Sequence, residues 1–205
     1  LHEKPFVGVN GSGKHNNWSI GTDTGENLLD PGDTPNENLQ FLLVLACIMR
    51  GVDRYAGLLR CSAACAGNEH RLGAQEAPPA IISIFLGDQL DNVVEQIVSN
   101  TQSIQLLASG TLDSGVSTVP VLDKDATDRN RTSPFAFTGN KFEFRMVGSS
   151  DSIAEANVAL NAIVAQSLCE AADLLEGAED FPAACSRLIH QWMSQHQRII
   201  FNGDG

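Results

Sequence analysis

Residues 135–147, FAFTGNKFEFRMV, constrain the fold of this chain more than any other stretch. Thr138-Gly139-Asn140 is a turn signal, and beyond it apolar residues recur at every second position. That period puts Phe142, Phe144 and Met146 on one face of a strand and Lys141, Glu143 and Arg145 on the other. At about 3.3 Å per residue, the three charged side chains stand roughly 7 Å apart, a carboxylate flanked by two cations. Two readings stay open for that face. It is a solvated surface carrying cross-strand ion pairs, or its carboxylate holds a divalent metal while the cations bind anionic groups of a substrate or nucleotide.

A second stretch, GVNGSGKHNNWS from Gly8 to Ser19, nearly spells a P-loop, since Gly8, Gly13 and Lys14 have the right spacing. The next residue is His15, where a P-loop needs Ser or Thr on magnesium and the start of a helix. Asn16, Asn17, Trp18 and Ser19 start helices poorly, so the segment reads as extended, with His15, Asn17 and Ser19 along one face. One histidine and one glutamate cannot complete a magnesium or manganese shell, and further carboxylates must come from elsewhere. Arg129 and Arg131 lie in a loop just before the hairpin and can converge with it as a clamp for phosphoryl groups. The loop from Asn68 to Pro79 carries Arg71 and Glu76, and reads either as a mobile surface connection or as a lid over a site.

Size and charge narrow the partners. At 205 residues, 42% of them hydrophobic and 19% charged, the chain can bury a core. Its formal charge of −12 argues against nucleic acid, whose phosphates need a positive surface. Lys124, Arg129, Arg131, Lys141 and Arg145 nevertheless cluster locally, which suits a small anion. The sequence has no run of about 18 apolar residues and its start lacks the pattern of a signal peptide, so we expect no membrane partner and a cytoplasmic location. Cys47, Cys61, Cys65, Cys169 and Cys185 show no paired spacing and read as buried free thiols.

Along the chain, Thr34-Pro35-Asn36-Glu37 reads as a capping box opening a buried helix from Leu39 to Val52. Leu58 to Cys65 reads as a strand, Gly67 to Pro79 as a loop, and Ala80 to Leu86 as a strand buried on both faces. Asp88 to Ser99 has amphipathic helical spacing, and Asn100 to Ser117 reads as an exposed insertion. Ser152-x-x-Glu155 suggests a second capping box opening a scaffold helix to about Leu175. A third helix runs from Pro182 to about His196 behind a cap at Asp180, with His190 and His196 on different faces. Both ends read as cuts in a longer polypeptide.

In this order, NGSGKHNNWS, GNEHRLGAQEAPPAI and DRNRTSPFAFTGNKFEFR resemble the catalytic blocks of glutamine synthetase, and the wording GKHNNWS and TGNKFEFRM resembles its long-chain type III class. The resemblance implies an α+β fold: a curved, mainly antiparallel sheet backed by helices, with the sheet over 1–148 (insertion about 100–118) and a helical part of the same domain over 149–205. It also implies ATP-driven amidation of L-glutamate by ammonia through γ-glutamyl phosphate, with Mg²⁺ or Mn²⁺ ions spreading the phosphoryl charge. By matched position, His15 and Glu143 would ligate metal. Asn10 and Gly11 would hold the glutamate amino group, and Arg71 and Arg145 its carboxylates or the transferring phosphoryl group. Glu76 would be the flap acid that takes a proton from ammonium, Arg131 would contact phosphate, and Lys141, Asn17 and Ser19 would lie nearer the nucleotide.

The chain departs from the commoner classes at Asn17, where they have a second histidine, at Lys141, where they have an arginine, and in TSPFAF, which lacks an arginine. The family's other metal-binding glutamates and its small β-grasp domain precede the blocks seen here. The resemblance therefore implies half of a site, with little activity in isolation, and a homo-oligomeric ring for the complete protein. A ligase joining glutamate to another amine, such as a polyamine, and a non-catalytic nucleotide-binding or assembly module are the alternatives.

Overall fold

Alternating aromatic residues do produce the hairpin, and it forms the centre of a small sheet. The computed structural model describes residues 13–73, 77–99 and 133–203. Strands β1 (Asn16–Trp18), β2 (Ile84–Phe85), β3 (Phe135–Phe137) and β4 (Phe142–Phe144) lie in the order β1-β4-β3-β2. The β1–β4 and β3–β4 pairs are antiparallel, while β2 runs parallel to β3, so the sheet is mixed. Gly139, at φ 93°, supplies the left-handed residue that the hairpin turn needs. Phe135 stacks on Phe142 with centroids 4.4 Å apart, and Phe137 meets Phe142 edge-on at 5.3 Å. Burying such rings supplies much of the sheet's cohesion.

Six α-helices are described: α1 (Leu39–Arg54), α2 (Ala56–Cys61), α3 (Ala66–Arg71), α4 (Asp88–Ser99), α5 (Ala154–Leu175) and α6 (Phe181–His196). Helix α1 packs against α5 and α6 and buries Leu42, Leu45, Ile48 and Met49 completely. Gly51 lets α5 approach, because a Cβ there would stand 2.8 Å from the Ile163 carbonyl oxygen. By length and composition α5 could cross a membrane, with a mean hydropathy of 1.4 over 18 residues. Its Leu160, Ile163 and Val164 lie instead in the core shared with α1 and α6.

Several local expectations are corrected. The first helix is capped by Asn38, whose Oδ1 accepts from Phe41 N, while Thr34 to Glu37 form a separate turn. Ser152 Oγ accepts from Ala154 N, two residues on, so it closes a local turn ahead of α5 and makes no capping box. Where a strand was expected over Leu58 to Cys65, residues 56–61 are helical, because packing against α1 and α5 buries Leu59 completely and leaves Leu58 half exposed. The strand expected over residues 80–86 shrinks to Ile84–Phe85, and Ile81 is 77% exposed. Helix α3 occupies the start of the expected loop. The insertion over residues 100–117 lies outside the described residues. Helices α4 and α6 match their expected spans, and Asp180 caps α6 by accepting from Ala183 N.

None of the five cysteines forms a disulfide, and only Cys47 and Cys185 are buried. Burial pushes the Cys47 thiol up to about 12, with nearby Cys185 adding to the shift, and burial raises Cys185 to about 11. Neither thiol forms a nucleophilic thiolate near neutral pH.

Candidate active site

Two sequence patterns that were independent along the chain meet on one face of the sheet. Asn17 pairs directly with Glu143 across the β1–β4 ladder. The face bearing His15, Asn17 and Ser19 is therefore the face bearing Lys141, Glu143 and Arg145. The opposite side of β1 docks on α5, where Asn16 Nδ2 donates to Asn157 Oδ1 at 2.8 Å and Trp18 Nε1 to Asn161 Oδ1 at 2.9 Å. Those two asparagines are four residues apart and so share one helix face.

The solvated reading of the charged face fails at its centre. Glu143 is 7% exposed and Arg145 5%. His15 Nδ1 lies 2.6 Å from Glu143 Oε1, and Arg145 Nη2 donates to Glu143 Oε2 at 2.5 Å. Lys141 is partly exposed and forms no ion pair with another described residue; its carbonyl closes the turn by accepting from Thr138 N. Asn17 and Ser19 are exposed.

Arg145 is incompletely matched. Four buried side-chain polar atoms among the described residues lack a hydrogen-bond partner, and two of them are Arg145 Nε and Nη1. A buried donor left unpaired costs about 1–3 kcal/mol. Such a cost persists where an anionic ligand relieves it.

Arg71 is brought to the same place from α3. It is 4% exposed; its Nε donates to Asn68 Oδ1 at 2.8 Å, and its Nη2 to the carbonyls of Arg145 at 3.1 Å and Met146 at 2.9 Å. Lys14, the residue that mimics a P-loop lysine, is spent elsewhere: its Nζ donates to the carbonyls of Ser149 and Asp151, both at 2.5 Å. This cage ties β1 to the segment leading into α5 and leaves Lys14 no phosphate role.

His15 and Glu143 provide an imidazole nitrogen and a carboxylate oxygen at one point, a donor set that fits part of a divalent-metal shell. Among the described residues no group of three His, Cys, Asp or Glu side chains converges, so a metal would need further donors. Asn10, Gly11, Glu76, Arg129 and Arg131 lie outside the described residues. Sequence reasoning missed Asn68. Its only signal was a position three residues before Arg71, the spacing of helix neighbours.

No family model matches this chain. Across its whole length it is 56% identical to a protein named type-3 glutamine synthetase from Dictyostelium discoideum. It is also 48% and 46% identical to proteins named glutamine synthetase from Bacteroides fragilis and Butyrivibrio fibrisolvens. The chain belongs to the glutamine synthetase family. It spans 28% of the first relative's length and 29% of each of the other two. Within this glutamine synthetase segment, the paired face of β1 and β4 carries His15, Asn17, Ser19, Lys141, Glu143 and Arg145, and the C-terminal end of α3 carries Arg71.

Proposed function

We propose that this segment forms one lobe of a glutamine synthetase active site, which joins ammonia to L-glutamate at the expense of ATP. The observation that carries this reading is the His15, Glu143 and Arg145 group, its glutamate and arginine buried and its histidine open to solvent, with two Arg145 donors left without protein partners. Those donors suit a carboxylate or a transferring phosphoryl group. His15 and Glu143 would hold a divalent ion together with donors from the rest of the protein. Magnesium or manganese, when bound, spreads the charge of the transferring phosphoryl group. In the balanced reaction the glutamate side-chain carboxylate takes the terminal phosphoryl group of ATP. Ammonia then displaces phosphate, leaving glutamine, ADP and inorganic phosphate.

In this reading Arg131 contacts phosphate, while Asn10 and Gly11 hold the glutamate amino group. Glu76 receives the proton that ammonium gives up. Lys141, Asn17 and Ser19 line the nucleotide side, where their exposure leaves them accessible. The full protein works in the cytoplasm as a ring of identical subunits. An α+β synthetase domain with a curved sheet fits the mixed sheet and its helical backing.

The test is phosphate release from ATP with Mg²⁺ or Mn²⁺, on this segment and on the full gene product, with glutamate and ammonia each omitted in turn. Release that needs both, confined to the longer protein, supports a lobe of a synthetase. Release that ignores ammonia but follows polyamines moves the assignment to another glutamate–amine ligase, and silence in both proteins defeats the catalytic reading.

A further inference from the structure

The ladder between β1 and β4 loses its register at the site. From the Asn16–Phe144 pair to the Gly13–Gly148 bridge it steps three residues along one chain and four along the other. One extra residue therefore sits between Arg145 and Val147, as in a β-bulge, which re-aims side chains and leaves main-chain groups without ladder partners. Arg145 N still donates to Pro134 O, and Lys14 N to Val147 O. The carbonyls of Arg145 and Met146 turn instead to the Arg71 guanidinium, and Met146 O also accepts from Asn68 Nδ2 at 2.7 Å.

We infer that Asn68 and Gly13 are positioning residues that hold the Arg71 guanidinium against this bulge, and thereby set where Arg71 and Arg145 meet substrate. Asn68 is wholly buried. Its Nδ2 is tied to the carbonyls of Ala63 and Met146, which fixes the amide plane, and its Oδ1 then sets the direction of Arg71 Nε. Gly13 acts from the other side. A Cβ there would stand 2.5, 2.6 and 2.8 Å from Arg71 Nη1, Cζ and Nη2, so the flat face of the guanidinium lies on the glycine. Arg71 is the end of a flexible side chain, but its hydrogen bonds leave it little room to yield. Asn68 thus holds the guanidinium by its edge and Gly13 by its face. That these residues govern glutamate use rests on the synthetase reading above; that they hold Arg71 rests on the geometry alone.

The test compares Asn68→Ala and Gly13→Ala in the full gene product. Each is expected to raise the glutamate KM about tenfold while the ATP KM moves less than about twofold. Because Asn68 acts through Arg71, Asn68→Ala is expected to add little to Arg71→Lys; additive losses, or equal shifts for both substrates, overturn the inference. Modification of Arg71 by phenylglyoxal, followed by peptide mass spectrometry, is independent of activity. It is expected to run several-fold faster in both single variants than in the parent protein. An unchanged rate overturns the inference. A parent protein with no glutamate-dependent turnover defeats the functional reading, and the modification rates still decide whether Asn68 and Gly13 hold Arg71.

Discussion

Arg50, partly buried, and Arg145, buried, are both paired with a glutamate, yet the two regions treat them differently. In the helical layer each Arg50 nitrogen has a partner: Nε and Nη2 donate to Glu170, Nη1 donates to His196 Nε2, and the plane lies 4.4 Å from the Trp192 ring centroid. Arginine only donates, so His196 Nε2 accepts, and its Nδ1 carries the proton facing Asp53 at 2.7 Å. In the sheet, Arg145 reaches Glu143 with one nitrogen and has two without partners. A network closed upon itself is a fastener between helices. One left open inside the protein has donors to spare for a ligand.

The contrast is broken most directly by exchanging each arginine for methionine. Arg145→Met is expected to lower glutamate-dependent turnover of the full gene product by about a hundredfold or more, while urea unfolding shifts by less than about 1 kcal/mol. Arg50→Met is expected to reverse the pattern, costing about 1–2 kcal/mol because it removes the hydrogen bonds to Glu170 and His196, with turnover of the folded protein retained. If Arg145→Met proves the more destabilising of the two, the open network is structural and the comparison fails.

Gly51 sharpens it further. Replacing a mid-helix glycine by alanine normally helps a helix by up to about 1 kcal/mol. Here the new Cβ meets a main-chain carbonyl at 2.8 Å, so Gly51→Ala is expected to destabilise by about 1–3 kcal/mol through overpacking of α1 on α5. At Gly13 the obstacle is a side chain, and the expected penalty falls on substrate use. A stabilised Gly51→Ala protein would show that the helix pair has slack.

The smallest effect concerns Glu170, whose hydrogen bonds from Arg50 and then Gln166 hold its carboxyl below the ordinary value of 4.5. A lowered folded value means that the stabilisation is fully present above pH 4.5 and is lost as pH falls through the folded value. Glu170→Gln is expected to weaken folding at neutral pH by under about 1 kcal/mol and to flatten the acid limb of the stability profile. An unchanged acid limb would show that the ion cluster contributes nothing measurable.

The amino-acid sequence alone determined the hairpin, helices α1, α4, α5 and α6, and the split of charged and apolar residues along β1 and β4. These are local consequences of period, capping and turn chemistry, legible wherever a side chain's neighbours in the chain are also its neighbours in space. The GKHNNWS and TGNKFEFRM wording likewise pointed to the family before any coordinates. Tertiary structure decided that the two polar faces coincide, that Glu143 and Arg145 are buried, and that Lys14 is caged by carbonyls. It also turned residues 56–61 and 66–71 into helices and delivered Arg71 and Asn68 to an irregular step in the β1–β4 ladder. Pairing register and burial depend on residues more than seventy positions apart, and no local pattern carries that information.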